Sequence, residues 1–306
     1  MKSGSSKRIR SRIDWRYEQL IHNDLKRALI AALKQAATIL PTDVVDALKR
    51  AEERETSNLG KAQLGAILEN VAIAREGSIP MCQDTGIQTF FIEAGVKSPH
   101  LKTLRSVISD AVVEATAAIP LRPNTVHPFT GENPGNNLGR FMPAINWELA
   151  EGDAVMITVL PKGGGSENMS TLKMLSPGVG MKGIKKALVD HVIACEGKPC
   201  PPTIIGVGIG GGADIAMKLG KRAVLREIGS RHPEAAVAEL EEELLELINE
   251  TGVGPMGVGG DTTALAVHVE YAFRHPASLP LGILVQCWAD RRAKVRLAAD
   301  GTIEVS

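Results

Sequence analysis

The order of the hydrophobic periodicities constrains this chain most. Apolar residues recur at three- and four-residue spacing through "LKRALIAALKQAATIL" (25–40), "VVDALKRAEERE" (44–55) and "KAQLGAILENVAIAREG" (61–77), the mark of amphipathic helices. The last third reads differently. "TTALAVHVEYAF", "LGILVQCWA" and "AKVRLAADGTIEV" are short β-branched runs broken by turn residues, which is strand patterning, and "ADGT" predicts a hairpin turn. Helices come first and strands cluster late, so the fold class is α+β rather than doubly wound. The expected organisation is a mobile basic tail at 1–13 and one domain at 14–306. That domain is helical over 14–77 and mixed α+β over 78–306, with a strand-rich final third. Pro41 ends the first helix, and Thr42 or Asp43 is placed to cap the next. A long unstructured stretch, 121–140, is expected to be functional or mobile.

Composition removes several function classes. The 306 residues carry 35 basic and 35 acidic side chains, so no basic excess invites nucleic acid. Aromatics make up 3% of the chain, too few for base-stacking platforms. No signal-peptide pattern follows Met1, and no long uncharged apolar stretch stands out as a bilayer span. Four scattered cysteines, at 82, 195, 200 and 287, do not make a disulfide scaffold. The expectation is a cytoplasmic, reducing environment, no membrane and no nucleic acid, with small molecules and other proteins as partners.

Chemistry concentrates at a few turns. Cys82 lies in "PMCQDTG", Cys200 between prolines in "GKPCPP", and Cys287 after a strand in "QCWADRR". Cys195 sits inside a helical pattern and reads as structural. Thiolates on rigid turns near Arg291 and Arg292 suit a metal cluster, although their spacing matches no local zinc rule. A free cysteine is more often a small buried apolar residue. "KGGGSEN" reads as an anion nest that Lys162 would make more positive, or as an ordinary left-handed turn. "GVGIGGG" lacks the dinucleotide pattern and supports nucleotide binding only weakly.

Together "PMCQDTG", "KGGGSEN", "CPPTIIGVGIGG" and "RHPASLPLGILVQCWADRR" resemble the iron–sulfur hydro-lyases of the class I fumarase and L-tartrate dehydratase family. The resemblance runs from about residue 40 to the end and is to the separately encoded α subunit. It implies a 4Fe–4S cluster with one open iron, held by Cys82, Cys200 and Cys287. It also implies substrate contacts from Gln83, Arg105 and the backbone at Gly165, and catalytic roles for Asp84 and His275. Each has a plainer alternative. Asp84 caps an Asp-Thr-Gly turn, His275 packs beside Pro276, and Arg105 is a solvated helix residue.

The expected function is reversible hydration of fumarate to L-malate, a reaction of the tricarboxylic acid cycle. The resemblance implies that a separate β subunit supplies the catalytic base; no defensible base stands in this chain. Self-association, as a hetero-oligomer or a homodimer of α chains, is also expected. The alternatives are an L-tartrate dehydratase α subunit, with oxaloacetate as product, and a non-catalytic cluster-bearing redox sensor.

Overall fold

The computed structural model describes residues 4–306, with side chains from Gln19 onward. The chain forms two compact units. One is built from the segment through Thr38 together with Gln83–Pro161 and Arg291–Ser306, the other from Ile39–Cys82 and Lys162–Asp290. A helix-then-mixed split of the sequence does not show this interleaving, because it comes from long-range pairing and not from local periodicity. Of the stretch read as a tail, residues from Gly4 onward belong to the first helix, and residues 1–3 lie outside those described.

The first unit is led by α1 (Gly4–Thr38). It continues with β1 (Ile87–Gly95), α4 (Leu104–Ala118), β2 (Ala144–Ala150), β3 (Val155–Lys162), β8 (Ala293–Leu297) and β9 (Ile303–Val305). The strands form one sheet in the order β2-β1-β3-β8-β9. Leu25, Leu29 and Leu33 of α1 pack with Leu104, Val107 and Ile108 of α4 against Phe90, Ile157 and Val295 of the sheet. By length and composition the window Gln19–Arg54 is apolar enough to cross a membrane, contrary to the sequence expectation. Pro41 interrupts that window, and Leu25, Leu29 and Leu33 of its first helix are at most 1% exposed within the unit's core. Burial against the sheet and α4 accounts for the apolarity of these three.

β2 has no apolar run in the sequence. It carries Asn146 and Glu148 and is only partly buried, paired in parallel with β1 at the sheet edge. The 121–140 loop is tied down by Asn137, which is 2% exposed. Its Oδ1 accepts from the Asn124 N–H at 2.7 Å, and its Nδ2 donates to Thr116 Oγ1 and the Arg122 carbonyl, both at 3.0 Å.

The second unit contains α2 (Thr42–Arg54) and α3 (Asn58–Gly77). It goes on with α5 (Gly164–Glu167), β4 (Thr171–Leu175), α6 (Gly180–Cys195), β5 (Thr203–Gly211), α7 (Ala213–Ala223), α8 (Ala235–Asn249), β6 (Ala264–Arg274) and β7 (Leu279–Gln286). The sheet order is β4-β7-β5-β6, with β5 parallel to β6 and antiparallel to β7. Ile184, Leu188, Leu240 and Leu244 of α6 and α8 cover one face, meeting Ile205, Val207, Ile283 and Val285.

α7 lies against the strand glycines of "GVGIGGG". A Cβ on Gly208 would fall 1.9 Å from the Ala216 carbonyl, and one on Gly206 would fall 2.1 Å from the Gly220 carbonyl. Those glycines therefore serve close helix–sheet packing. Asp43 does not cap α2, which has no side-chain cap; its Oδ2 accepts instead from the Ile228 N–H at 2.8 Å. Ser57 caps α3 through the Gly60 N–H.

Candidate cluster site

Cys82, Cys200 and Cys287 all belong to the second unit. The sheet register explains how two of them meet. Ile204 of β5 pairs with Gln286 of β7, so the segment entering β5 and the segment leaving β7 emerge at one end of the sheet. Cys200 lies on the first and Cys287 on the second. The Trp288 N–H donates to the Cys200 carbonyl at 3.2 Å and ties the two segments together. Cys200 has φ +56 and sits in a turn closed by its own N–H to the Gly197 carbonyl.

Cys82 arrives from the turn after α3. Met81 is buried with Trp288 and Ala289 in a cluster against which Cys200 and Cys287 also pack. The Met81 carbonyl accepts from Asn70 Nδ2 at 2.8 Å. Burial pushes the Cys200 thiol above its ordinary value, and the nearby Cys82 adds to the rise. Cys195 stays apart in α6, buried, with its Sγ 3.5 Å from His191 Nε2.

The donor set suits an iron–sulfur group: three half-buried thiols, each on a non-helical turn, around one apolar cluster. Among the described residues no three His, Cys, Asp or Glu side chains gather as ligands of one metal ion. A multi-iron cluster holds its thiolates further apart than a single ion holds its ligands.

A glycine-rich loop that sequence reading passed over holds the Cys200 turn. In 252–260, Gly254, Met256, Gly257, Gly259 and Gly260 all have positive φ. The Met256 N–H donates to the Pro201 carbonyl at 2.7 Å. Gly257 lies so near Gly197 that a Cβ on it would fall 2.4 Å from the Gly197 Cα. Glu55, 5% exposed, anchors the far side of this loop. It accepts from the Asp261 N–H at 2.9 and 3.0 Å, the Thr262 N–H at 3.2 Å and the Ser57 N–H at 3.1 Å. The glycine density of "GVGPMGVGGD" was the available signal; nothing local marks Glu55.

"KGGGSEN" forms neither a nest nor a left-handed turn. None of its three glycines is among the positive-φ residues, and Gly164–Glu167 is a single helical turn. Lys162 is 7% exposed; its Nζ donates to Ser166 Oγ at 2.6 Å and pairs with Glu167 Oε2 at 3.4 Å. Burial pulls the Lys162 ammonium below its ordinary pKa, although Glu167 and Cys287 oppose the shift. Glu167 is more exposed than Lys162. Burial pushes its carboxyl up, but Lys221 and Lys162 outweigh that and leave it below the usual carboxylate range.

His275 is exposed in the turn between β6 and β7, its Nδ1 accepting from the Ala277 N–H at 3.1 Å. That turn is at the opposite end of β7 from Cys287. Eight residues of strand at about 3.3 Å each separate the two by about 25 Å. Within one chain, His275 is therefore not brought to the cysteines.

The other expected residues lie in the first unit. Gln83 is exposed and Asp84 half-buried. Asp84 does cap its turn: Oδ1 accepts from the Gly86 N–H at 2.9 Å and from Asn124 Nδ2 at 3.3 Å. Its carbonyl accepts from Arg291 Nη1 at 2.9 Å, and Arg291 is 1% exposed. Arg105 is exposed in the first turn of α4.

The profile of the family described as fumarate hydratase (Fumerase) matches residues 26–296. A Methanocaldococcus jannaschii protein named "Putative L(+)-tartrate dehydratase subunit alpha" is 48% identical over 279 residues, covering 90% of this chain and 98% of the relative. The L(+)-tartrate dehydratase subunit alpha of Escherichia coli strain UTI89 is 39% identical over 269 residues, covering 88% and 89%. That of Shigella sonnei strain Ss046 is 38% identical over the same length and shares. The chain belongs to the fumarate hydratase (Fumerase) family, as a hydro-lyase α subunit.

Proposed function

We propose that this chain holds a 4Fe–4S cluster with one open iron on Cys82, Cys200 and Cys287. Together with a β subunit it would interconvert fumarate and L-malate. The observation that carries the reading is the meeting of three cysteine-bearing turns around the Met81–Trp288–Ala289 cluster. When bound, the cluster supplies a Lewis acid for the substrate hydroxyl.

The chain's own residues then have defined work. The register of β5 with β7, the Trp288 bond and the glycine-rich loop hold the thiolates. Asp84, two residues along the chain from Cys82, is the proposed carrier of the leaving water's proton. Its turn bonds and the Arg291 bond to its carbonyl fix the backbone from which it reaches. Gln83 and Arg105 are the proposed contacts to substrate oxygens, with the backbone at Gly165 as a further one. Lys162 is committed to Ser166 and Glu167, so its contribution is a buried positive charge beside Cys287, not a flexible clamp. A role for His275 at the site would have to be played from a second copy of the chain. The β subunit is assigned the base that takes the carbon-bound proton.

A second reading, L-tartrate dehydration, is favoured by the names of the relatives. Both substrates are four-carbon 2-hydroxy dicarboxylates, so one experiment separates the readings. The anaerobically reconstituted chain is combined with its β subunit and assayed on L-malate and L-tartrate. A larger kcat/KM on malate supports the first reading, and a larger value on tartrate replaces it with the second. Turnover of neither leaves the redox-sensor alternative standing.

A further inference from the structure

Two phenylalanines, Phe129 and Phe273, are each 93% exposed, and each stands at a largely apolar cavity. Exposed aromatic side chains gathered at a cavity mark an interaction surface. The Phe129 cavity, about 740 Å3, lies wholly within the first unit. Its lining includes Ile87, Asn124, Phe129, Glu132, Arg140 and Phe141. The loop that builds it is fixed by its own hydrogen bonds. Besides those of Asn137, Asn133 Nδ2 donates to the Pro123 carbonyl at 2.7 Å, and His127 Nδ1 accepts from the Phe129 and Thr130 N–H groups at 3.3 Å. Phe141 has φ +63, a strained backbone for a bulky residue, and yet it is 76% exposed. The Arg140 guanidinium lies 5.3 Å over its ring. Among the described residues no carboxylate pairs with Arg140, and no cation pairs with Glu132. The face is thus preformed, apolar and flanked by two opposite charges without partners.

The place of the cavity identifies its occupant. Asn124 lines it and donates its side-chain N–H to Asp84 Oδ1 at 3.3 Å and to the Gly86 carbonyl at 3.1 Å. One side chain therefore joins the cavity to the proposed proton carrier. A β subunit that brings a base to substrate beside Asp84 has to cover surface continuous with Asp84. Phe273 does not meet that condition. It belongs to the second unit, beside the turn that carries His275, at the opposite end of β7 from Cys287. Resting on the two-subunit reading above, we propose that the 124–142 cavity is the docking face for the β subunit. The segment it takes is apolar, with a carboxylate placed for Arg140 and a cation placed for Glu132. Preformed walls lower the ordering cost of that docking. Covering the face also takes the Asn124–Asp84 bond out of water and strengthens it, so docking and completion of the site are one event.

The test uses the full chain, reconstituted anaerobically with iron and sulfide, together with its β subunit. Wild type is compared with Phe129→Ser, Arg140→Glu and Phe273→Ser, three substitutions of exposed side chains. Affinity for the β subunit, measured by isothermal titration calorimetry, should fall about tenfold or more in Phe129→Ser and Arg140→Glu, the scale of an interface hot spot. Phe273→Ser should match wild type. Activity titrated with the β subunit should need correspondingly more of it in the two weakened variants and reach the wild-type kcat at saturation, which a folding defect would not allow. If a variant does not fold, a benzophenone amino acid in place of Phe129 decides, since irradiation must cross-link it to the β subunit. Wild-type affinity in both folded variants, or no such cross-link, overturns the proposal and leaves the hydro-lyase reading standing. Cross-linking of one α chain to another likewise overturns it and assigns the face to a second copy. Failure of the wild-type chain to bind its β subunit overturns the two-subunit reading, and this inference with it.

Discussion

Glu55→Ala should loosen the support of the Cys200 turn without touching a cysteine. The carboxylate is 5% exposed and accepts from three backbone N–H groups, of Ser57, Asp261 and Thr262. A hydrogen bond to a charged group contributes about 1.5–3 kcal/mol, and an orphaned donor costs a similar amount unless water reaches it. Asp261 is exposed and Thr262 half-buried, so water will recover part of the loss, and the expected net cost is about 3–4 kcal/mol. The loss is local, because the acceptor secures the 252–262 loop against the α2–α3 turn. Hydrogen-exchange mass spectrometry of peptides covering that loop reads it directly. Exchange should quicken at least a hundredfold, since each 1.4 kcal/mol is about a factor of ten. Cluster uptake should fall as well, because Met256 of the same loop holds the Pro201 carbonyl. Loop exchange within threefold of wild type would refute the reasoning that Glu55 anchors this support.

Other perturbations follow from the same geometry. Gly257→Ala combines φ +76 with a Cβ 2.4 Å from the Gly197 Cα, so it should abolish cluster uptake while circular dichroism keeps its helical signal. Asn in place of Asp84 caps the turn nearly as well as Asp. Asp84→Asn should therefore leave unfolding unchanged but reduce turnover about a hundredfold or more if the carboxyl moves a proton; an unaltered kcat would assign Asp84 to capping alone. The depressed pKa of Glu167 means that its contribution to stability is present above the ordinary carboxylate range and is lost as pH falls through the lowered folded value. Glu167→Gln should flatten the acid limb of a stability–pH curve measured by denaturant titration. Chains carrying His275→Ala and chains carrying Cys200→Ser, each inactive alone with the β subunit, should recover activity when mixed, because a histidine about 25 Å from its own cysteines along β7 can act only across chains; no recovery would remove His275 from the site.

What the sequence showed of this molecule was the local part. Periodicity placed α2 and α3 close to their observed bounds, because each buries one apolar stripe. β2 and β4 escaped notice because both lie at sheet edges, are half-buried and carry charged residues within short spans. The two-unit interleaving was hidden for another reason: α1 and β8 join one core although more than two hundred residues separate them. The Cys82 and Cys200 turns were legible from their nearby prolines, since proline fixes φ wherever it stands. The "KGGGSEN" geometry was not, because glycine permits a left-handed turn without requiring one. Glu55 could not be found at all. A buried carboxylate becomes an anchor only when a loop some two hundred residues away presents its N–H groups to it.

The central claim is that three particular cysteines of four hold the cluster. Wild type and the four single Cys→Ser variants, reconstituted anaerobically, should be compared by visible absorption together with iron and acid-labile sulfide content. The account predicts that Cys82→Ser, Cys200→Ser and Cys287→Ser each lose the cluster, while Cys195→Ser, whose sulfur lies in α6 beside His191, matches wild type. A normal cluster in Cys200→Ser, or its loss in a folded Cys195→Ser, would contradict it.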